Sequence, residues 1–456
     1  MRHILIISDV HLGNGQGYDI YAGEDALPNF LDKAVHPDTL LLVNGDFADF
    51  LMNEDPLVLE RDRAIAQAQA LVAWPPTAAV LQALGRALAR GAQVVIRLGN
   101  HDAELGIPTV QAVLRGALGQ PEAVARRLAF QLGDKPAIEE IGGARVLITH
   151  GEHNDPWNRF DAAPLATVPA QGGSDFVYPP GSRLVKTIMN PLKRKHGLRF
   201  VDLLKPDIQG GVLTALAVDP GAVSLVFQGS TLSLMWQLFH ERHFGDLSFE
   251  ADAAEPEAET GLHSALDEAG LTEDERQALR DVLDPSGGLS FGSGDSSALD
   301  GARFKLARRG LAGIARLQKR LTGDDGTVYF DTVPLPAEWE EAHRLADKFK
   351  VDAVLLGHSH AARFGVDKGR VYVNSGTWIT QLSLPAPDAP AAAWAAYLHQ
   401  LCDNPGLDPA KGATGIAATR FNAAAVEVNG AGKAVVQLLE IDAQGRSRVT
   451  AQHTLG

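Results

Sequence analysis

The sequence predicts an α/β fold interrupted by a large, mostly helical insertion. Five short apolar runs rich in branched residues carry that prediction: ILII at 4–7, LLLV at 40–43, VVIRL at 94–98, RVLIT at 145–149 and DAVLL at 352–356. Runs without polar alternation mark strands covered on both faces. Helical patterns lie between them, so strand and helix alternate. That rhythm stops near residue 151 and resumes near 351, which divides the chain into 1–150, 151–350 and 351–456.

Taken in order, the first run delivers Asp9-Val10-His11, and the second ends in Gly45-Asp46 with Asp49 three residues on. "PLVLERDRAIAQAQALVA" and "TAAVLQALGRALARG" then predict two helices, the latter stopped by Gly91. The third run opens into Gly99-Asn100-His101-Asp102, and the fourth into His150-Gly151. Within the middle segment, "EADAAEPEAET" and "DPSGGLSFGSGDSSALDG" have linker composition. Two basic stretches, 182–199 and 303–320, stand out there. "AEWEEAHRLADKFK" predicts a helix leading into the fifth run, which ends in Gly357-His358-Ser359-His360. "NAAAVEVNGAGKAVVQLLEI" predicts a hairpin turning at Asn429-Gly430.

Composition narrows the functional classes. Lys and Arg number 41 against 56 Asp and Glu, a net charge of −15, so most of the surface should repel polyanions and nucleic acid is not the favoured partner. The single cysteine, Cys402, excludes an intramolecular disulfide and suits a reducing compartment. "MRHILIISDVHLG" lacks a signal-peptide pattern, and the longest apolar stretch, 211–239, is broken at Asp219-Pro220-Gly221. The expectation is a cytoplasmic protein without a transmembrane segment. Peripheral lipid contact through 211–239 stays open, as does burial of that stretch in a helical core.

Side chains after the C-terminal ends of neighbouring parallel strands converge on one crevice. Here they would bring together carboxylates, an amide and imidazoles, a donor set for first-row divalent ions. There are too many for one tetrahedral ion. Two ions sharing a carboxylate would use them, and such pairs suit in-line displacement at phosphorus. The glycines before Asp46, Asn100 and His358 are expected to supply the tight turns.

The order D-x-H, G-D-x-x-D, G-N-H-D, H-G, G-H-x-H resembles the calcineurin-like metallophosphoesterase family, as does "NSGTW" at Asn374–Trp378. The resemblance covers about 1–150 and 351–442 and implies a four-layer αββα sandwich, its second sheet completed by the hairpin at Asn429. It places Asp9, His11 and His360 on one ion, Asn100, His150 and His358 on the other, and Asp46 on both. His101 would be left unligated to protonate the leaving oxygen, with Asp102 orienting it. The ions would be drawn from Mn, Fe, Zn, Co or Ni.

Other residues carry weaker signals. Asp49 reads equally as support for a histidine or as a turn cap, and Asp155 as support for His150. Lys193, Arg194, Lys195 and His153 are candidates for gripping substrate phosphates, against solvated helix faces or a plain loop. "GNGQG" at 13–17 reads as a rim loop more readily than as a phosphate cradle. The implied activity is phosphoester hydrolysis by a metal-bound hydroxide, as phosphatase or phosphodiesterase, with a phosphate-containing small molecule as substrate. The alternatives are a nucleotide-linked, lipid-bearing pyrophosphatase substrate, a nuclease activity, or a non-catalytic scaffold. The intact ligand set argues against the scaffold.

Overall fold

Every apolar run named above forms a strand in the computed structural model, which describes residues 3–133, 135–155, 157–205, 331–383, 385–386, 389–407 and 417–456. In the first half, β1 (His3–Ile7), β2 (Thr39–Asn44), β3 (Gln93–Arg97) and β4 (Ala129–Gln131) lie side by side and parallel. The helices between them are α1 (Ala26–Ala34), α2 (Arg61–Ala73) and α3 (Pro75–Arg90), followed by α4 (Pro108–Gly116) and the short α5 (Glu122–Ala125). Gly91 ends α3 in the left-handed region at φ 107°, with its N–H returned to Ala87 and Leu88. Next come β5 (Ala137–Ile141), β6 (Ala144–Ile148) and, at the exit from this stretch, α6 (Pro180–Leu184).

A second sheet is ordered β5-β6-β8-β10-β9, with β8 (Ala353–Leu356), β9 (Arg363–Asp367) and β10 (Arg370–Asn374). Its three inner strands are parallel and both edges antiparallel. The two sheets pack face to face. Ile4, Ile6, Leu40 and Leu42 of the first meet Val146, Ile148, Ala353, Leu355, Val371 and Val373 of the second in one cluster. The alternate residues of β1 and β2, Leu5, Ile7, Leu41 and Val43, are also fully buried, so helices must cover the outer face. On the far side, Ala342, Leu345 and Ala346 of a later helix (Pro336–Phe349) pack on Leu147, Val354, Leu356 and Tyr372. This is the four-layer αββα arrangement.

The hairpin at Asn429 forms: β13 (Phe421–Val428) and β14 (Ala434–Ile441) pair antiparallel, and Asn429 Oδ1 accepts the N–H groups of Ala431 and Lys433. It does not complete the sheet of β6 and β8, however. β13 pairs antiparallel with β1, and β15 (Ser447–Thr454) closes the outside, giving the order β15-β14-β13-β1-β2-β3-β4. The buried run Phe421–Val426 matches a position between two strands, which the space beside β1 provides.

Two compact units emerge, Met1–Arg183 with Phe330–Thr380 and Thr419–Gly456, and Leu184–Tyr329 with Gln381–Ala418. The first therefore reaches beyond residue 150 and resumes before 351. Hydrogen bonds explain the extension: Arg61 N–H and Asp62 N–H donate to the carbonyls of Pro169 and Ala170, and Tyr178 Oη to Glu104 at 2.5 Å. In the second unit a π-helical turn (Val185–Met189) runs into α7 (Asn190–His196), ended by left-handed Gly197. With Pro336–Phe349 counted as α8, α9 (Ala391–Asp403) buries Trp394, Tyr397, Leu398 and Leu401. β7 (Leu204–Lys205) pairs parallel with β11 (Thr380–Ser383), beyond which lies β12 (Ala417–Thr419). The basic stretch 303–320, the apolar stretch 211–239 and both linker-like segments fall outside the described residues.

Candidate metal centre

The strand ends are strained where the chemistry sits. Asp9, His11, Asp46, His358 and His360 all have left-handed backbone, with φ of 53°, 54°, 50°, 68° and 61°. That conformation costs a non-glycine residue about 1–2 kcal/mol and persists only where neighbours enforce it. They do so here. Asp9 N–H donates to the Gly45 carbonyl, Val10 and His11 N–H to that of Asp46, and Trp378 N–H to that of Asp9. His358 N–H donates to the Asp9 carboxylate at 3.0 Å.

The three preceding glycines serve two different ends. Gly45 supplies the expected turn at φ 85°. At Gly99 the need is room: a Cβ there would lie 2.2 Å from Asp46 Oδ1 and 2.5 Å from Asp46 N. At Gly357 it would lie 2.8 Å from Asp9 Oδ2.

The loops gather three overlapping sets of donors, one of them His11, Asp49 and His101, and the other two share Asp46. Of those two, Asp9, His11, Asp46 and His360 form one, and Asp46, His150 and His358 the other, with the atoms of each set within 4.8 Å of one another. His11 Nε2 lies 3.1 Å from His360 Nε2, which lies 3.3 Å from Asp9 Oδ1. Asp46 Oδ2 faces both sets, 3.9 Å from His11 Nε2 and 3.3 Å from His150 Nε2. Asp46 Oδ1 accepts the His101 N–H at 2.9 Å.

Does this donor set fit divalent ions? His150 Nδ1 lies 2.8 Å from the Asn44 carbonyl, which can only accept, so the proton sits on Nδ1. A neutral ring then aims its Nε2 lone pair at the Asp46 carboxylate, and a cation between them resolves that repulsion. His11 repeats the pattern, with Nδ1 donating to Asp49 Oδ2 at 3.0 Å and Nε2 turned to the cluster. Asn100 Oδ1 is buried and has no hydrogen-bond partner among the described residues, while its Nδ2 donates to Asn158 Oδ1 at 3.2 Å. Imidazole, carboxylate and amide oxygen together suit first-row divalent ions, so the residues fit.

Without an ion, the buried histidines and carboxylates hold one another charged, so a cation has to displace the His150 Nε2 proton to bind there. Burial would raise Asp9, but His360 and His150 outweigh it and hold the carboxyl at about 2. Asp46 is likewise kept well below the usual range against its burial, by His150 and then His101. His150 is carried up to about 10, burial being overcome by Asp46.

Of the two carboxylates near His101, Asp49 and not Asp102 is the one on the imidazole. Asp102 does not touch the imidazole. Its Oδ1 accepts the Gly99 N–H at 2.6 Å and its Oδ2 the Phe47 N–H at 2.7 Å, tying two strand-end loops together. Burial, then the charge of Asp46, pushes its carboxyl up to about 8, against the pull of those two backbone bonds. The group on His101 Nδ1 is Asp49, whose Oδ2 lies 3.1 Å away. Its Oδ1 accepts the Leu51 N–H, so Asp49 both supports histidines and caps a turn. His101 and His11 hold the Asp49 carboxyl far below the ordinary range despite complete burial. His11, Asp49 and His101 thus form a hydrogen-bonded relay.

Residues 2–191 match the family model described as calcineurin-like phosphoesterase. This stretch is similar to calcineurin-like phosphoesterase domains. His358 and His360 lie beyond the matched residues and reach the same cluster through the fold. Solved structures similar to the chain include a Vps29 double mutant from Entamoeba histolytica, with 12% identity, TM-score 0.16 and coverage of 28% of this chain and 53% of that one. A Vps29 single mutant from the same organism gives 13%, 0.15, 28% and 52%. Vacuolar Protein Sorting 29 from Cryptosporidium parvum gives 18%, 0.14, 28% and 48%. The chain spans about half the length of these proteins. No curated protein matches it. The family match and the clustered donors support a metal-dependent phosphoesterase in general.

The remaining candidates sort themselves by position. Asp155 supports His358, not His150: its Oδ2 lies 3.1 Å from His358 Nε2, and the Asn44 carbonyl already holds His150. His153 is largely exposed, beside Asn154 and within 4.0 Å of Glu341, and partial desolvation lowers its pKa. Lys193 is buried in the second unit, whereas Arg194 and Lys195 are exposed. The 13–17 loop is no empty phosphate cradle, because Asp19 accepts the N–H groups of Asn14, Gly15 and Gly17. Asn44 and Asn158 went unnoticed in the sequence. A backbone acceptor leaves no trace in residue type, and Asn158 stands in no motif. Among the described residues, no helix is long and apolar enough to cross a membrane.

Proposed function

We propose that the chain is a dinuclear-metal-dependent hydrolase of phosphoesters, acting on a phosphate-containing small molecule in the cytoplasm. The observation that carries this reading is Asp46, whose Oδ2 belongs to two of the donor sets. Asp9, His11 and His360 would hold one ion, and Asn100, His150 and His358 the other, with Mn, Fe, Co, Ni or Zn as the candidate metals. When bound, such a pair neutralises charge on phosphoryl oxygens and acidifies water toward neutral pH.

The chain's own residues supply the rest. His101, with Nδ1 anchored on Asp49, keeps Nε2 to carry a proton to the leaving oxygen. Asp49 stabilises the protonated ring and fixes its direction, as a buried carboxylate does for a general acid. Asp102 positions the loop from which His101 projects. Exposed Arg194 and Lys195 are proposed to meet substrate phosphates.

The test is turnover of a chromogenic phosphodiester, a phosphomonoester and a pyrophosphate by protein reconstituted with Mn²⁺. Activity on at least one class, lost on chelation and restored by metal, is expected. Fully loaded protein inert toward all three would refute the reading and favour the scaffold alternative.

A further inference from the structure

One donor set has a support that the five motifs do not contain. Asp155 and Asn158 lie in the segment after His150-Gly151, and they touch two of the three residues proposed to hold the second ion alongside Asp46. Asn158 Oδ1 accepts the Asn100 Nδ2–H at 3.2 Å, and Asn158 Nδ2 donates to Asp155 Oδ2 at 2.8 Å. The same Asp155 Oδ2 accepts the His358 Nε2–H at 3.1 Å. An unbroken chain therefore runs Asn100, Asn158, Asp155, His358.

Each link fixes a choice that would otherwise be open. A carboxamide has an oxygen end and a nitrogen end of nearly equal shape, and only the oxygen can ligate a cation. With its nitrogen committed to Asn158, Asn100 must turn Oδ1 the other way, where it is buried and unpartnered. An imidazole can carry its proton on either nitrogen. With Nε2–H given to Asp155, His358 keeps the lone pair on Nδ1.

The chain is itself braced. Asp155 Oδ1 accepts the Trp157 N–H at 3.0 Å, and the Trp157 carbonyl accepts the Gly181 N–H at 2.8 Å. A Cβ at Gly181 would lie 2.3 Å from Asn158 Oδ1, so the backbone comes up directly behind the amide. Neither Asp155 nor Asn158 is hydrogen-bonded to Asp9, His11 or His360 in the described structure. The first set is held instead by Asp49 on His11 and by the His358 N–H on Asp9.

We propose that Asp155 and Asn158 are positioning residues that set the affinity of the second ion independently of the first. The inference rests on the two-ion reading above. The two ions then respond to different parts of the chain, and the second is lost first when Asp155 or Asn158 is changed.

The experiment is calorimetric titration of metal-free protein with Mn²⁺, with thermal melts of the metal-free variants as a check on folding. Wild-type protein should take up two ions per chain. Asn158→Ala should bind one ion as wild type and the other about 10–100-fold more weakly, the usual effect of removing a group that holds a ligand. Asp155→Asn, which keeps the shape but offers an N–H to His358 Nε2, should do the same if Asn158→Ala folds poorly. Adding Asn158→Ala to Asn100→Ala should weaken the second ion by less than Asn158→Ala does in wild-type protein, because part of its effect runs through Asn100 and part through Asp155 and His358. Equal weakening of both ions, or no weakening in either variant, overturns the inference. Fewer than two ions on wild-type protein overturns the two-ion reading, and this inference with it.

Discussion

Asp49→Asn is an almost isosteric change that should damage two functions at once. Asp49 Oδ2 accepts from His11 Nδ1 at 3.0 Å and from His101 Nδ1 at 3.1 Å, while Oδ1 accepts the Leu51 N–H at 3.0 Å. An asparagine that keeps its oxygen on Leu51 must present its NH₂ to both imidazoles. Each ring then has to accept at Nδ1 and carry its proton on Nε2. For His11 that proton occupies the lone pair turned toward Asp9, Asp46 and His360. The opposite amide orientation preserves the imidazole bonds but sets two donors against each other at Leu51, at about 1–3 kcal/mol for the buried group left unsatisfied. Two charge-assisted bonds are lost in the first case, each contributing about 1.5–3 kcal/mol. We expect Mn²⁺ affinity to fall by about 10–100-fold, as for loss of a group that orients a ligand. Turnover of an ester with a poor leaving group, measured at saturating metal, should fall by a further 10²–10⁴-fold, roughly the worth of a general acid. Calorimetry gives the first quantity and steady-state kinetics the second. A variant with wild-type affinity and wild-type turnover would refute the relay of His11, Asp49 and His101.

Three further outcomes are expected. His101→Ala should retain both ions by elemental analysis, lose about 10²–10⁴-fold in kcat with a poor leaving group and lose far less with a nitrophenolate, while equal loss on both would deny it the proton. Gly99→Ala places a methyl group 2.5 Å from the Asp46 backbone nitrogen, so metal uptake should weaken at both positions; an unaffected metal content would show that Asp46 is not shared. Arg194→Glu with Lys195→Glu should raise KM for the natural substrate with little change toward a small chromogenic ester, and unchanged kinetics on both would return these exposed residues to the role of solvated helix face.

The parts legible in the sequence were those with a local signature. Five strands covered on both faces announce themselves by unbroken apolar runs, and the chemistry follows at their ends. Edge strands give no such signal: β15 reads SRVTAQHT and is mostly exposed. Adjacency misled at His101, where the next residue seemed the natural orienting group. The chain turns at that point, and the Asp102 carboxylate folds back onto Gly99 N–H, leaving the imidazole to a carboxylate 52 positions away. The contact of His358 with Asp155 spans 203 positions, too far for any spacing argument. Left-handed backbone at five donor-bearing residues was hidden too, since it is imposed by neighbouring loops and not by residue type.

The placement of β1 between β2 and β13 governs how the molecule is made. His3 pairs with Thr39 on one side and with Glu427 on the other. During synthesis all the proposed ligands have emerged by His360, yet the first strand still lacks one neighbour until residues 421–428 arrive. A ribosome therefore carries a chain whose ligand residues are all translated while an apolar strand edge stands open, the kind of edge that recruits other chains. Closure also requires pairing residues as far apart as His3 and Glu427, a slow step in topologies dominated by distant pairings. A truncation just after Trp378 would keep every side chain of the centre and still leave β1 unprotected.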